Sequence, residues 1–184
     1  MELLGEPLPG VLELQARAVV DSRGTFAETF NRKTMADFGV NSEFVQDNES
    51  FSSSSGTVRG LHLQVEPHAQ GKLVRVVHGA IFDVAVDIRP ESATFGQHTS
   101  VELKAGDNRA LWIPAGFAHG FCTLADETVV SYKATDFYAP DCERSIRFDD
   151  PDLGIDWPVD SADAVLSDKD AAAPSFAEFL QELR

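Results

Sequence analysis

Two cysteines in 184 residues are too few for a disulfide framework, and Cys122 and Cys142 stand at no metal-ligand spacing. A reduced, cytoplasmic setting is the expectation from that scarcity. Basic residues are scarce as well. Fifteen Lys and Arg stand against thirty Asp and Glu, for a net charge of −15. Such a surface repels a phosphodiester backbone, so a nucleic-acid partner is not expected. No apolar run approaches the ~18 residues of a membrane span. The opening "MELLGEPLPG" lacks the basic start and apolar block of a secretory signal, so no membrane partner is expected either. Tyrosine is rare too: the only two, Tyr132 and Tyr138, fall in one stretch.

Apolar residues make up 43% of the chain, a globular composition, and the length suits one domain of ordinary size. The charge is unevenly spread. Residues 141–170 carry ten acids against Arg144, Arg147 and Lys169. By contrast, Arg59, Lys72 and Arg75 share a stretch with one acid, Glu66, a local basic patch suited to an anionic small molecule.

The middle of the chain reads as strands. In "AIFDVAVDI", Phe82, Val84, Val86 and Ile88 alternate with Ile81, Asp83, Ala85 and Asp87, a period of two. "KLVRVVHG" precedes it, and His78-Gly79 reads as a hairpin turn. "TSVELKAGD", "RALWIP", "HGFCTLAD" and "TVVSYKATDFY" follow, divided by turn residues at Gly96, Gly106-Asp107, Pro114 to Gly116 and Asp126. Short strands at this spacing predict an antiparallel sandwich or barrel. "SFSSSSG" reads as a loop between strands. "NRKTMADFG" predicts a short helix capped by Asn31, with Met35 and Phe38 on one face and Gly39 at its end. "PSFAEFLQEL" predicts a terminal helix with a Ser175–Glu178 capping box and a stripe of Phe176, Phe179, Leu180 and Leu183.

Two stretches carry candidate chemistry. "TVRGLHLQ" places His62 in a strand, two residues before Gln64. A metal site at such a place needs a second histidine, and an amide is a poor substitute. "WIPAGFAHGF" carries Pro-x-Gly-x-x-His, a tight turn that puts His119 at the start of a strand. From the residues alone, His62 is a metal ligand, a buried structural histidine or a metal-free base.

"DSRGTFAETF", "FVQDN", "RGLHLQ", "QGKLVRVVHGAIFDVAVDIR", "TFGQ", "LWIPAGFAHGF", "YKATDFYAP", "DPDLGIDWP" and "LSDKDAAAP" occur in this order from about Asp21 to Ala173. Together they resemble the dTDP-4-dehydrorhamnose 3,5-epimerase family, metal-free sugar-nucleotide epimerases of the cupin superfamily. The resemblance implies an all-β cupin-type jelly roll with short peripheral helices and a C-terminal helix. It implies one domain over 1–184: an arm over about 1–55, the jelly-roll core over about 56–150, and a C-terminal segment over about 151–184. It also implies the substrate dTDP-4-dehydro-6-deoxy-D-glucose, whose ketone acidifies the hydrogens on carbons 3 and 5. No cofactor and no metal are expected.

The roles the resemblance implies are specific. His62 is the general base, Asp170 orients it, Tyr132 is the general acid, and Lys72 stabilises the enolate at the ketone oxygen. Arg59 binds the diphosphate or sugar, and Tyr138 stacks on thymine. Gln46, Asn48, His119, Glu143 and Lys169 are further substrate contacts. Arg23, Phe26 and Glu28 reach into a neighbour's pocket, which implies a homodimer built by strand exchange. Phe26 and Phe30 are equally readable as core. Leu63 stands where the family often has an aromatic residue and Phe137 where it often has tyrosine, which leaves the pocket's shape open. An epimerase of carbon 3 alone and a non-catalytic nucleotide-sugar-binding cupin are the alternatives, with a metal-dependent oxygenase last.

Overall fold

The computed structural model describes residues 1–182. In chain order its elements are β1 Glu2–Leu8, β2 Val11–Gln15, β3 Ala18–Asp21, β4 Gly24–Ala27, α1 Arg32–Asp37, β5 Gln46–Ser52, β6 Val58–Gln64, β7 Lys72–His78, β8 Ala80–Asp87, β9 His98–Lys104, β10 Arg109–Ile113, β11 Phe117–Thr123, β12 Thr128–Ala134, β13 Glu143–Ser145, α2 Asp168–Ala171 and α3 Phe176–Glu182. Two antiparallel sheets face each other as a jelly roll. One runs β1-β2-β10-β7-β12-β5 and the other β13-β6-β11-β8-β9. The strands β3 and β4 form a separate two-stranded hairpin.

Period-two alternation divides each strand between an interior and an exterior face. Val74, Val76, Ile81, Ala85, Phe117, Phe121 and Val130 point between the sheets and fill the barrel. The outer face of the five-stranded sheet is also covered. Leu61, Leu63, Val84 and Val86 pack there against Phe176 and Phe179 of α3. On the outer face of the other sheet, Leu14, Leu73 and Trp112 pack against Met35 of α1. The strand β8 is therefore buried on both sides, Asp83 and Asp87 included.

Both expected helices form. Asn31 Oδ1 accepts from Lys33 N at the start of α1. Ser175 and Glu178 exchange hydrogen bonds as a capping box before α3. Leu183, the last residue of the expected stripe, lies outside the described residues.

Three local expectations are corrected. His78-Gly79 does not turn a hairpin. The strand β7 pairs with β10 and β12, whereas β8 pairs with β11 and β9, so the chain crosses from one sheet to the other at that point. Only glycine suits the crossing: Gly79 has φ +76°, and a Cβ there would lie 2.3 Å from Thr128 Oγ1. The serine-rich stretch is not all loop, because Ser50 and Ser52 belong to β5. Phe26 and Phe30 separate: Phe30 packs on the core under α1, while Phe26 is 73% exposed on β4. The N-terminal strands β1 and β2 were not anticipated, and Gly5, Pro7, Pro9 and Gly10 interrupt any alternating pattern there.

Candidate active site

Arg59 and His62 are three residues apart on β6, a spacing that should place them on opposite faces of a regular strand. A β-bulge removes the conflict. His62 pairs with His119 and Arg59 with Phe121, so Gly60 and Leu61 together oppose Gly120 alone. The bulge needs glycine on both strands. A Cβ on Gly60, at φ +122°, would lie 2.6 Å from Gly120 Cα, and one on Gly120 would lie 2.9 Å from Arg59 O. Both Arg59 and His62 consequently face a cavity of about 210 Å³ between the sheets.

The cavity walls come from both sheets. His62 and His119 project from the five-stranded sheet, and Lys72 and Tyr132 project from the six-stranded one. The rim is closed by α2, which carries Lys169 and Asp170. Asp170 is distant from His62 in sequence by 108 residues, yet His62 Nε2 donates to Asp170 Oδ1 at 2.5 Å. The chain returns there through backbone bonds between Val165 and the Gly56–Val58 segment at the start of β6. Burial opposes ionisation of Asp170, but hydrogen bonds from His62, Ser167 and the Gly60 backbone outweigh it and hold its carboxyl below the usual range. An ionised Asp170 fixes the His62 proton on Nε2 and leaves Nδ1 with a free lone pair.

Three further groups have environments suited to chemistry. Burial pushes the Lys72 ammonium down to about 8, against the opposing charges of Asp83 and Glu143. Its Nζ donates to the His62 carbonyl at 3.4 Å. Burial likewise raises the Tyr132 phenol above its ordinary value, so it stays a proton carrier at neutral pH. His119 Nε2 donates to Asp83 Oδ1 at 2.7 Å, and burial holds the imidazole below its usual pKa.

The rim is polar and interlocked. Glu143 accepts from Tyr138 Oη at 2.9 Å and pairs with Lys169 Nζ at 2.6 Å. Gln46 accepts from the Tyr138 backbone and donates to Asn48. Arg59 donates to Ser52 Oγ and to the Phe51 carbonyl, which aims the guanidinium along the cavity's edge. Tyr138 is 56% exposed, so its ring is open to a flat partner.

The structure thus brings His62, Asp170, Tyr132, Lys72, Arg59, His119 and Lys169 to one cavity, and Glu143, Tyr138, Gln46 and Asn48 continue from Lys169 as a hydrogen-bonded chain. Arg23, Phe26 and Glu28 do not line it. They sit on or beside the exposed β3–β4 hairpin, where Arg23 pairs with Asp21 at 2.6 Å. Arg75 is also absent: it points to the outer face of its sheet, among Thr29, Asp47 and Ser131, so the expected basic patch is split. Gln64 is committed elsewhere. Its amide donates to the His68 and Phe137 carbonyls and accepts from Ala139 N. Leu63 packs in the outer core and leaves the cavity's shape untouched, while Phe137 is 63% exposed. Ser50, Phe121 and Ser167 line the cavity without having been anticipated. Alternation along β5 from Asn48 could have found Ser50.

The sequence pattern of the dTDP-4-dehydrorhamnose 3,5-epimerase family matches residues 6–178. The dTDP-4-dehydrorhamnose 3,5-epimerase of Sinorhizobium fredii is 51% identical over 169 residues, covering 90% of this chain and 84% of its own length. A 3,5-epimerase structure from Legionella pneumophila in complex with dTDP-4-keto-L-rhamnose superposes with a TM-score of 0.93, at 43% identity over 99% of this chain and 96% of that one. A 3′-monoepimerase from Streptomyces bikiniensis in complex with dTDP-quinovose gives a TM-score of 0.86 at 36% identity, over 96% of this chain and 91% of that one.

Proposed function

This chain belongs to the dTDP-4-dehydrorhamnose 3,5-epimerase family, and from that premise we propose how its own residues invert carbons 3 and 5 of dTDP-4-dehydro-6-deoxy-D-glucose to give dTDP-4-dehydro-L-rhamnose. The observation that carries the reading is the His62–Asp170 bond at 2.5 Å, set in a cavity whose opposite wall holds Tyr132 and Lys72. Epimerisation beside a ketone needs a base on one face of the ring, an acid on the other and a cation at the oxygen between them. Facing sheets supply the two faces.

His62 Nδ1 takes the hydrogen from the carbon next to the ketone, and the electron pair moves into an enolate. Asp170 stabilises the imidazolium that forms. Lys72 meets the negative charge that develops on the ketone oxygen, where a donor in a dry pocket is worth most. Tyr132 then delivers its proton to the opposite face of that carbon. His62 then gives its proton to solvent and Tyr132 takes one back from solvent, and the same cycle at the second carbon completes the double inversion. His119 accepts from a sugar hydroxyl. Arg59, with a planar fork suited to phosphate oxygens, and Lys169 hold the diphosphate. Tyr138 stacks on thymine, and Gln46, Asn48 and Glu143 order the rim around it. No electrons are transferred in this chemistry, so it calls for no redox cofactor.

The exposed hairpin suits a homodimer in which Arg23, Phe26 and Glu28 complete the partner's pocket. Phe26 and its cross-strand partner Val19 are 73% and 61% exposed there, one apolar face in need of cover. Arg23→Ala should therefore weaken dTDP binding although Arg23 is remote from its own cavity.

Proton NMR of the enzyme with the keto sugar in deuterated water tests the reading. Deuterium should enter at both carbon 3 and carbon 5 with inversion at each. Entry at carbon 3 alone would make the chain a monoepimerase. Binding of the sugar nucleotide with no entry at either carbon would remove the catalytic reading.

A further inference from the structure

One charged side chain buried beside the cavity has no part in that scheme. Asp83 stands on β8 between Ile81 and Ala85, both of which belong to the apolar interior of the barrel. It is fully buried and does not itself line the cavity. Its Oδ1 accepts the Nε2–H of His119. Its Oδ2 is buried without a hydrogen-bond partner among the described residues. A carboxyl in such a place is costly unless both oxygens are answered, so the free oxygen marks an interaction of charge rather than a packing role.

Lys72 is the cation placed to answer it, across the interior rather than in contact, since no ion pair within 4.0 Å joins the two among the described residues. It extends from the facing sheet, and its one hydrogen bond among the described residues is the long one to the His62 carbonyl. Burial works against its charge, and the nearby charge of Asp83 is the largest influence that preserves it. Other ionisable groups surround the cavity. His62 and Arg59 come from β6, His119 from β11, Tyr132 from β12 and Lys169 from α2. None of these brings a negative charge at neutral pH. The remaining acids are already engaged, Asp170 with His62 and Glu143 with Lys169 and Tyr138.

We infer that Asp83 is a positioning residue of this epimerase: one oxygen fixes the His119 ring, and the charge on the other holds the Lys72 ammonium ready for the ketone oxygen. With its Nε2–H committed to Asp83, His119 presents Nδ1 as an acceptor, the form that receives a sugar hydroxyl. The inference rests on the role proposed above for Lys72. It makes the site a pair of imidazole–carboxylate units. Asp170 serves the base, and Asp83 serves the cation at the oxygen.

The test is Asp83→Asn, which keeps the shape and the bond to His119 but removes the charge. The rate with the keto sugar is measured against pH beside the wild type, with dTDP binding by calorimetry as the control for folding. The value of kcat should fall about tenfold, short of the ~100-fold typical of losing a donor that touches the oxyanion itself. KM should change little. The alkaline limb of the kcat profile should move to lower pH, because Lys72 loses its proton more easily without the neighbouring charge. An unmoved alkaline limb overturns the inference, whatever kcat does. His119→Gln is the second variant and decides alone if Asp83→Asn fails to bind dTDP. It leaves the Asp83 charge in place, so its rate should fall while its alkaline limb stays. A limb that moves in His119→Gln assigns the effect to the ring and overturns the inference. A wild-type enzyme that exchanges neither hydrogen would instead remove the function proposed above.

Discussion

His62 and His119 are direct cross-strand partners on β6 and β11, yet each is bound by a different buried aspartate, Asp170 from the C-terminal segment and Asp83 from β8. Adjacent imidazoles are thereby given different environments. His62 remains partly open to the cavity, whereas His119 is buried and held neutral. The first is placed to gain and lose a proton, the second to stay fixed.

Replacing either member of the first pair should cut turnover steeply without loss of the fold. His62→Ala removes the base and should cost about 10²–10⁴-fold in kcat, the range for a positioned proton acceptor. Asp170→Asn should cost a large part of that, because an amide can hold the wrong tautomer of the ring. Both variants should bind dTDP as the wild type does. Steady-state kinetics with calorimetry checks this, and near wild-type rates in either variant would refute its assigned role.

Tyr132→Phe should separate two events that the wild type couples. The base still removes and returns hydrogen on its own face, so deuterium should still enter the sugar. Delivery to the opposite face is lost, so inverted product should not accumulate. NMR of the recovered sugar distinguishes exchange with retention from exchange with inversion.

Activity should decline as pH rises through about 8, where Lys72 gives up its proton and with it the positive charge at the ketone oxygen. Tyr132 does not set this limb, because burial places its phenol above the ordinary value near 10. A pH–rate profile checks the limb. Lys72→Arg, which stays charged throughout, should lack it even at a lower overall rate.

Chelation by EDTA should leave the rate unchanged. The position that would supply a second ligand after His62 is Gln64, and its amide is spent on three backbone groups of the 68–139 region. His62 and His119 each already have a carboxylate. Loss of activity on chelation, restored by one added metal, would contradict this.

Asp87→Ala should destabilise the fold by about 2 kcal/mol or more, the scale for losing charged hydrogen bonds in a buried site. Asp87 is fully buried and accepts from Arg89, Ser92 and Thr94, which tie down the loop after β8. Burial opposes its ionisation, but these bonds prevail and depress its carboxyl well below the ordinary value of 3.8. A depressed carboxyl contributes stability above its unfolded pKa and loses it as pH falls below that point. The difference between wild type and variant in urea unfolding should therefore be full at neutral pH and shrink in acid.

Much of this was legible in the sequence, for physical reasons. Alternation in β8 placed Ile81 and Val84 on opposite faces correctly, because the period of a strand is local. Asn31 and the Ser175–Glu178 box marked helix starts for the same reason. The hairpin expected at His78-Gly79 failed because a glycine turn looks alike whether the next strand pairs with the last one or crosses to another sheet. Arg75 was grouped with Lys72 by sequence proximity, although three residues along a regular strand reverse the face. Arg59 and His62 escape that reversal only through a bulge, and its opposing glycine lies 60 residues on. The His62–Asp170 pair was expected from family resemblance alone, since nothing in the spacing of two residues so distant predicts a bond. The part of Asp83 was invisible for a related reason. It reads as one polar position in an alternating strand until the opposite sheet is in place.

The remote origin of Asp170 has a consequence for synthesis on the ribosome. Every strand of both sheets lies before Ile146, so the segment that builds the barrel carries its imidazole, its lysine and its phenol. The acid that steers the imidazole follows twenty-five codons later. On the role proposed for Asp170, a chain whose strands have folded should enclose a nearly finished cavity and stay slow until its last short helices dock.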